Sequence, residues 1–136
     1  MNSEERGEVP IQRETDIAEA RRAVRDVAGK IGFGITEIAR IVTAASELSR
    51  NVHKYAGSGV MTWAALRNAT ANGLELRFED RGPGITDVDE ALREGYSTGG
   101  GLGMGLPGAK RLMDEMEIHS VPGEGTTITV RKWRRH

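Results

Sequence analysis

The chain has 136 residues, enough for about one domain with a single core, and its 19 Lys and Arg against 20 Asp and Glu leave a net charge of -1. Nothing in that balance draws it to nucleic acid or to an anionic membrane. The absence of cysteine excludes disulfides and thiolate metal sites, His53, His119 and His136 are too scattered for a zinc motif, and no apolar run approaches the ~20 residues of a membrane span, so a soluble cytoplasmic protein is expected.

Val9 to Arg13 reads as a short edge strand, with Pro10 tolerated near its start. Asp16 with Glu19 three residues on has the form of a capping box, and Ile17, Ala20, Val24, Val27 and Ile31 recur at helical spacing until Gly32. A helix over 16–31 is predicted. Thr36 is the expected cap of a second helix reaching Ala56, with Ile38, Ile41, Val42, Ala45, Leu48, Val52 and Tyr55 on its apolar side. At about 100° per residue, Glu47 and Asn51 lie roughly 40° apart on the margin of that stripe. Asparagine is a poor mid-helix residue because its amide competes for backbone hydrogen bonds, so its place beside a carboxylate needs a reason. An oxygen donor for Mg2+ is one, and a local Glu–Asn hydrogen bond is the other.

Gly57 and Gly59 mark a turn, Val60 to Arg67 reads as a strand, and Asn68 to Gly73 connects it to a second, so a hairpin is predicted. In the second strand Leu74, Leu76 and Phe78 alternate with Glu75, Arg77 and Glu79, which turns the even positions inward and Asp80 with them. An inward carboxylate costs several kcal/mol unless it finds donors. A ligand base with an exocyclic amine would supply one, and capping of the carboxylate's own turn would supply another.

Thr86 opens a short acidic helix to Glu94, followed by Tyr96 to Gly108, which reads YSTGGGLGMGLPG. Gly103, Gly105 and Gly108 match G-x-G-x-x-G, but no strand precedes them, and Lys110 lies between Ala109 and Arg111, so neither a dinucleotide fingerprint nor a Walker A loop fits. A flexible surface loop and a lid over a nucleotide remain. Pro107 favours a helix start, giving a helix over 106–115 whose amides and dipole suit an anion. Strands over 117–121 and 126–133 form a closing hairpin, with Thr126 on the face of Ile128 and Val130. The basic residues around Trp133 read as a solvated terminal strand.

Taken together, E-L-S-R-N on a helix, D-R-G-P-G after a strand, G-G-G-L-G-M-G-L before a helix and G-E-G-T-T at a hairpin resemble the four boxes of the GHKL ATPase and kinase superfamily. That resemblance implies an α/β fold, a two-layer sandwich with helices packed on one face of a mixed β-sheet, as a single domain over 1–136 with a mobile ATP lid at about 84–105, most mobile at 95–104. The break at 31–34, the YSTGGGLGMGLPGAKRLMDE run and the GEGTTITVRKW end are similar to the RsbT-type serine/threonine kinases within it. By that resemblance ATP and Mg2+ are the cofactors, with Asn51 as the metal ligand and Glu47 as the base. Asp80 accepts from the adenine amine, Gly82 and Gly84 let the base approach, and Thr126 supports that contact. Ser97, Thr98, Gly101, Gly103 and Gly105 wrap the phosphates, and Lys54 matches a phosphate-contacting position. The partners implied are a STAS-domain antagonist as substrate and a PP2C-type phosphatase activated by binding. Anti-sigma kinases of the RsbW or SpoIIAB type share all four boxes, but carry a small-His motif where this chain has Lys54 to Gly57.

Overall fold

Alternation over residues 74–79 leaves Leu74, Leu76 and Phe78 buried while Arg77 and Glu79 are exposed, and the strand that holds them, Ala71–Asp80, lies at the middle of the sheet. The computed structural model describes residues 2–85 and 105–135. Its strands are β1 (Asn2–Ile11), β2 (Gly59–Arg67), β3 (Ala71–Asp80), β4 (Glu115–Val121) and β5 (Gly125–Arg135). They form one five-stranded sheet in the order β1-β2-β3-β5-β4. The helices α1 (Thr15–Ile31), α2 (Ile35–Asn51) and α3 (Gly105–Leu112) share its core, and a π-helical turn, Val52–Ala56, continues α2.

A mixed sheet was the expectation, whereas every pairing among the described strands is antiparallel. The reason is topological. The chain crosses from β3 through α3 to β4, which runs parallel to β3, but β5 turns back between the two and separates them.

The first strand is longer than its apolar pattern, starting at Asn2 and pairing with β2 down to Asn2↔Arg67, with a register shift between Ser3 and Glu5. An edge strand is held by backbone bonds along one side only, so a polar run gave no periodic signal. Asp16 does not form the expected box with Glu19. Its Oδ2 accepts from the amides of Gln12 and Arg13 at 2.9 and 3.0 Å, while Glu19 pairs with Arg22 at 3.0 Å. Gly32, at φ 106°, ends α1 in the left-handed region that its lack of Cβ permits. Gly34, not Thr36, occupies the cap position of α2.

The core lies between the helices and the inward sheet face. Ala20, Val24 and Val27 of α1 and Ile41, Ala45 and Leu48 of α2 bury against Met61, Leu74, Leu76, Phe78, Ile128 and Val130. Burial of each large side chain contributes about 1.5–3 kcal/mol. On the other face, Arg131 bonds Glu75 at 2.8 Å and Glu115 and Glu117 at 3.1 Å. Burial alone would lower its pKa, but the three carboxylates outweigh that and raise it, so the guanidinium stays charged. Lys132 is buried too, and its Nζ reaches the Leu112 carbonyl and Glu37 at 3.1 Å and Asp114 at 3.5 Å. Two cations of the C-terminal basic cluster are therefore bonded within the fold rather than left to solvent.

The last helix spans Gly105–Leu112 rather than 106–115, because Glu115 already pairs with Arg131 as the first residue of β4. The helix expected over 86–94 and the lid residues up to 104 lie outside the described residues.

Candidate functional site

The α-helical bonding of α2 ends at Asn51, and the next five residues take the wider π turn. A π turn changes the angular position of everything after it. Tyr55, assigned to the apolar side by a 3.6-residue period, is 44% exposed for this reason. Lys54 is exposed as well, with its Nζ 5.3 Å from the centre of the Tyr55 ring. Glu47 and Asn51 are both half-buried, as their margin position requires. The Glu47 carboxylate bonds Arg50 at 2.9 Å, three residues on, rather than Asn51. A pair with one partner largely in solvent is worth only about 0–1 kcal/mol, so it is easily exchanged for another contact.

Packing brings this end of α2 to the end of β3. A Cβ on Gly59 would lie 2.7 Å from Val52 and 3.2 Å from the Asp80 Cβ, and a Cβ on Gly82 would lie 2.6 Å from that of Ala56. The π turn thus rests on the residues around Asp80. Gly84, at φ 78°, has its open side 2.5 Å from the Val121 carbonyl. Gly82 and Gly84 already have a reason within the protein, since a side chain at the first would collide with the π turn and at the second with β4.

Asp80 sits directly across the ladder from Thr126, which is 7% exposed. Its Oδ1 accepts from the Gly82 amide at 2.9 Å, the turn cap foreseen as one of its two uses. That bond fixes the carboxylate plane and leaves Oδ2 for a second donor, so the two uses are compatible. Beyond Gly84, the Gly123 amide donates to the Pro83 carbonyl at 2.7 Å, and the Ile85 amide donates to Ser120 Oγ, also at 2.7 Å. Ser120 in turn lies 2.8 Å from Thr126 Oγ1. Sequence reasoning missed Ser120. Its signal was there, since Met116, Ile118 and Ser120 alternate onto one face of β4, with the hydroxyl opposite Thr126.

Lys132 joins the α3 C-terminus to Glu37 in the first turn of α2, so the N-terminal end of α3, at Gly105, is directed away from Glu37. Of the expected site residues, Asp80, Gly82, Gly84 and Thr126 come together, with the π turn and the α2 end against them. Ser97, Thr98, Gly101 and Gly103 lie outside the described residues. The donor chemistry fits Mg2+, which takes hard oxygens and is held by one or two protein groups plus substrate phosphates. The side-chain amide oxygen of Asn51 is a donor of that kind, with Glu47 one helical turn away.

The profile of the histidine kinase-like ATPase domain matches residues 11–132. The serine/threonine-protein kinase RsbT of Bacillus subtilis (strain 168) is 50% identical over 127 residues, 93% of this chain and 96% of its own length. An anti-sigma F factor of Thermoanaerobacter sp. (strain X514) is 33% identical over 120 residues, 84% of this chain and 82% of its own. The crystal structure of the RsbU and RsbW domains of a Mycobacterium tuberculosis protein superposes with a TM-score of 0.62 at 21% identity, over 94% of this chain and 33% of that one, a likeness of fold.

Proposed function

Because the chain belongs to the histidine kinase-like ATPase domain family and is a serine/threonine protein kinase of the RsbT type, we propose that it phosphorylates a serine on a STAS-domain antagonist and, once freed, activates a PP2C-type phosphatase by binding it. The observation that carries this reading is the 50% identity to RsbT over 93% of the chain. The meeting of Asp80, Thr126 and the α2 end at one end of the inner strands supports it.

Phosphoryl transfer asks the protein mainly for positioning and charge neutralisation. Asp80 Oδ2 accepts from the adenine amine, Thr126 lies beside it, and the rigid turn at Gly82 and Gly84 holds that edge. Asn51 Oδ1 would help to hold Mg2+, which when bound would supply neutralisation of phosphate charge. Lys54 contacts the phosphates from the π turn, and Ser97, Thr98, Gly101, Gly103 and Gly105 do so from a lid at about 84–105 that belongs to the single domain. Glu47 takes the proton of the attacking serine as its oxygen bonds the γ-phosphorus and the bond to the bridging oxygen of ADP breaks. The reaction is placed in the cytoplasm. A second reading, an anti-sigma kinase that sequesters a sigma factor, draws on the 33% identity to an anti-sigma F factor.

The test incubates the protein with γ-labelled ATP and candidate STAS-domain proteins, beside Asn51→Ala. Serine labelling is expected from the unaltered protein, with a loss of about 100-fold or more in the variant, the scale of one lost charge-stabilising contact. Equal labelling by both would end the Asn51 assignment. Tight binding of a sigma subunit with no STAS protein labelled would establish the second reading instead.

A further inference from the structure

Ser120 Oγ has three polar neighbours: the Ile85 amide at 2.7 Å, Thr126 Oγ1 at 2.8 Å and the Gly125 carbonyl at 3.2 Å. A serine hydroxyl has one hydrogen and two lone pairs. The amide can only donate and the carbonyl can only accept, so Ser120 takes the first on a lone pair and gives its own hydrogen to the second. The third contact then forms in one way, with Thr126 donating into the remaining lone pair. Thr126 is buried and exchanges little with water, so its hydrogen stays committed to Ser120. Across the ladder, the Asp80 carboxylate is an acceptor as well.

From this we propose that Ser120 is a positioning residue that sets base selectivity, by fixing Thr126 as an acceptor so that the Asp80–Thr126 edge presents lone pairs only. The proposal rests on the ATP reading above and adds the reason an amino purine is chosen over a keto purine. An exocyclic amine supplies hydrogens to this edge, whereas a keto oxygen in its place meets lone pairs from both residues. Without Ser120 the Thr126 hydroxyl turns freely and can donate to that oxygen. The same hydroxyl holds the Ile85 amide, so the residue that sets the edge also ties Ile85 to β4.

The test measures dissociation constants of Mg·ATP and Mg·ITP by calorimetry. The two nucleotides differ at one purine carbon, amine against keto oxygen, and at the adjoining ring nitrogen, which is bare in adenine and carries a hydrogen in hypoxanthine. The unaltered protein should prefer ATP by about tenfold or more, a modest share of what a site built for a hydrogen bond can achieve. In Ser120→Ala the ATP-to-ITP preference should shrink by about fivefold, and Ser120→Thr, which keeps a hydroxyl, should restore it. A Ser120→Ala protein that binds both nucleotides more weakly by one common factor would overturn the proposal, because a purely structural role predicts that. If the alanine variant shows no cooperative melting, Ser120→Cys, whose thiol fills the space but accepts poorly, should narrow the preference, and an unchanged ratio there would overturn the assignment. Equal affinity of the unaltered protein for both nucleotides would overturn Ser120's role and leave the ATP site standing. Failure to bind either would overturn the ATP reading and this proposal together.

Discussion

Ser49 stands on the fully buried side of α2, between Glu47 and Asn51, and its hydroxyl has no hydrogen-bond partner among the described residues. An unsatisfied buried hydroxyl costs about 1–3 kcal/mol, and alanine is the better helix former. Ser49→Ala should therefore raise stability by about 1 kcal/mol, seen as a higher denaturant midpoint at unchanged slope; a lower midpoint would mean that the hydroxyl is satisfied in the folded protein. Asp80 shows the opposite arrangement. Its turn-capping bond to Gly82 uses one carboxylate oxygen and leaves the other for the adenine contact proposed for it.

At the scale of the element, two contacts outside the helical ladders decide where helices begin and end. The Gln12 amide first, and the Arg13 amide second, hold the Asp16 carboxyl below its ordinary value of 3.8. A carboxylate whose folded pKa is depressed stabilises the fold fully above the unfolded pKa and loses that contribution as pH falls through the folded value. Asp16→Ala should accordingly lower the melting temperature at neutral pH, with its curve and that of the unaltered protein converging well below pH 3.8. A gap constant with pH would rule out the charge. Lys132 does the corresponding work for α3, tying its last carbonyl to Glu37 and Asp114. Lys132→Met keeps the bulk and removes three bonds to a buried ammonium, so a loss of about 1–3 kcal/mol is expected on chemical denaturation. Glu19→Ala, which removes the exposed pair with Arg22, should shift the same midpoint by less than about 0.5 kcal/mol.

For the whole molecule, the site is assembled from parts far apart in sequence, so nucleotide binding must couple to global stability. Ligand at 100 times its dissociation constant adds about 2.7 kcal/mol to the folded state, which for a chain of this length raises the melting temperature by roughly 10 °C. Mg·ATP should produce that shift and Asp80→Asn should reduce it at equal nucleotide concentration; an identical shift in both would place the nucleotide elsewhere. The sheet provides the frame for this coupling. Asp80, Thr126 and Ser120 belong to β3, β5 and β4, so three adjacent strands hold one edge of the proposed nucleotide site.

The sequence by itself determined whatever depends on local period and local chemistry. The two long helices, the hairpins, the inward turn of Asp80 and Thr126 and the half-burial of Glu47 and Asn51 follow from repeats of 3.6 and 2 residues, which act over a few neighbours. Tertiary structure decided the rest, because its causes lie between segments. No local pattern announces the pairing of the polar residues of β1, since their partner is the backbone of β2. The π turn that exposes Tyr55 rests against Gly59 and Gly82, which come later in the chain. The all-antiparallel pairing follows from β5 inserting between β3 and β4. Ser120 gains its partners only when Ile85, 35 residues earlier, and Thr126 are brought to it. A hydrogen bond needs its donor and acceptor within about 3 Å, and folding alone sets that distance for residues so far apart in the chain.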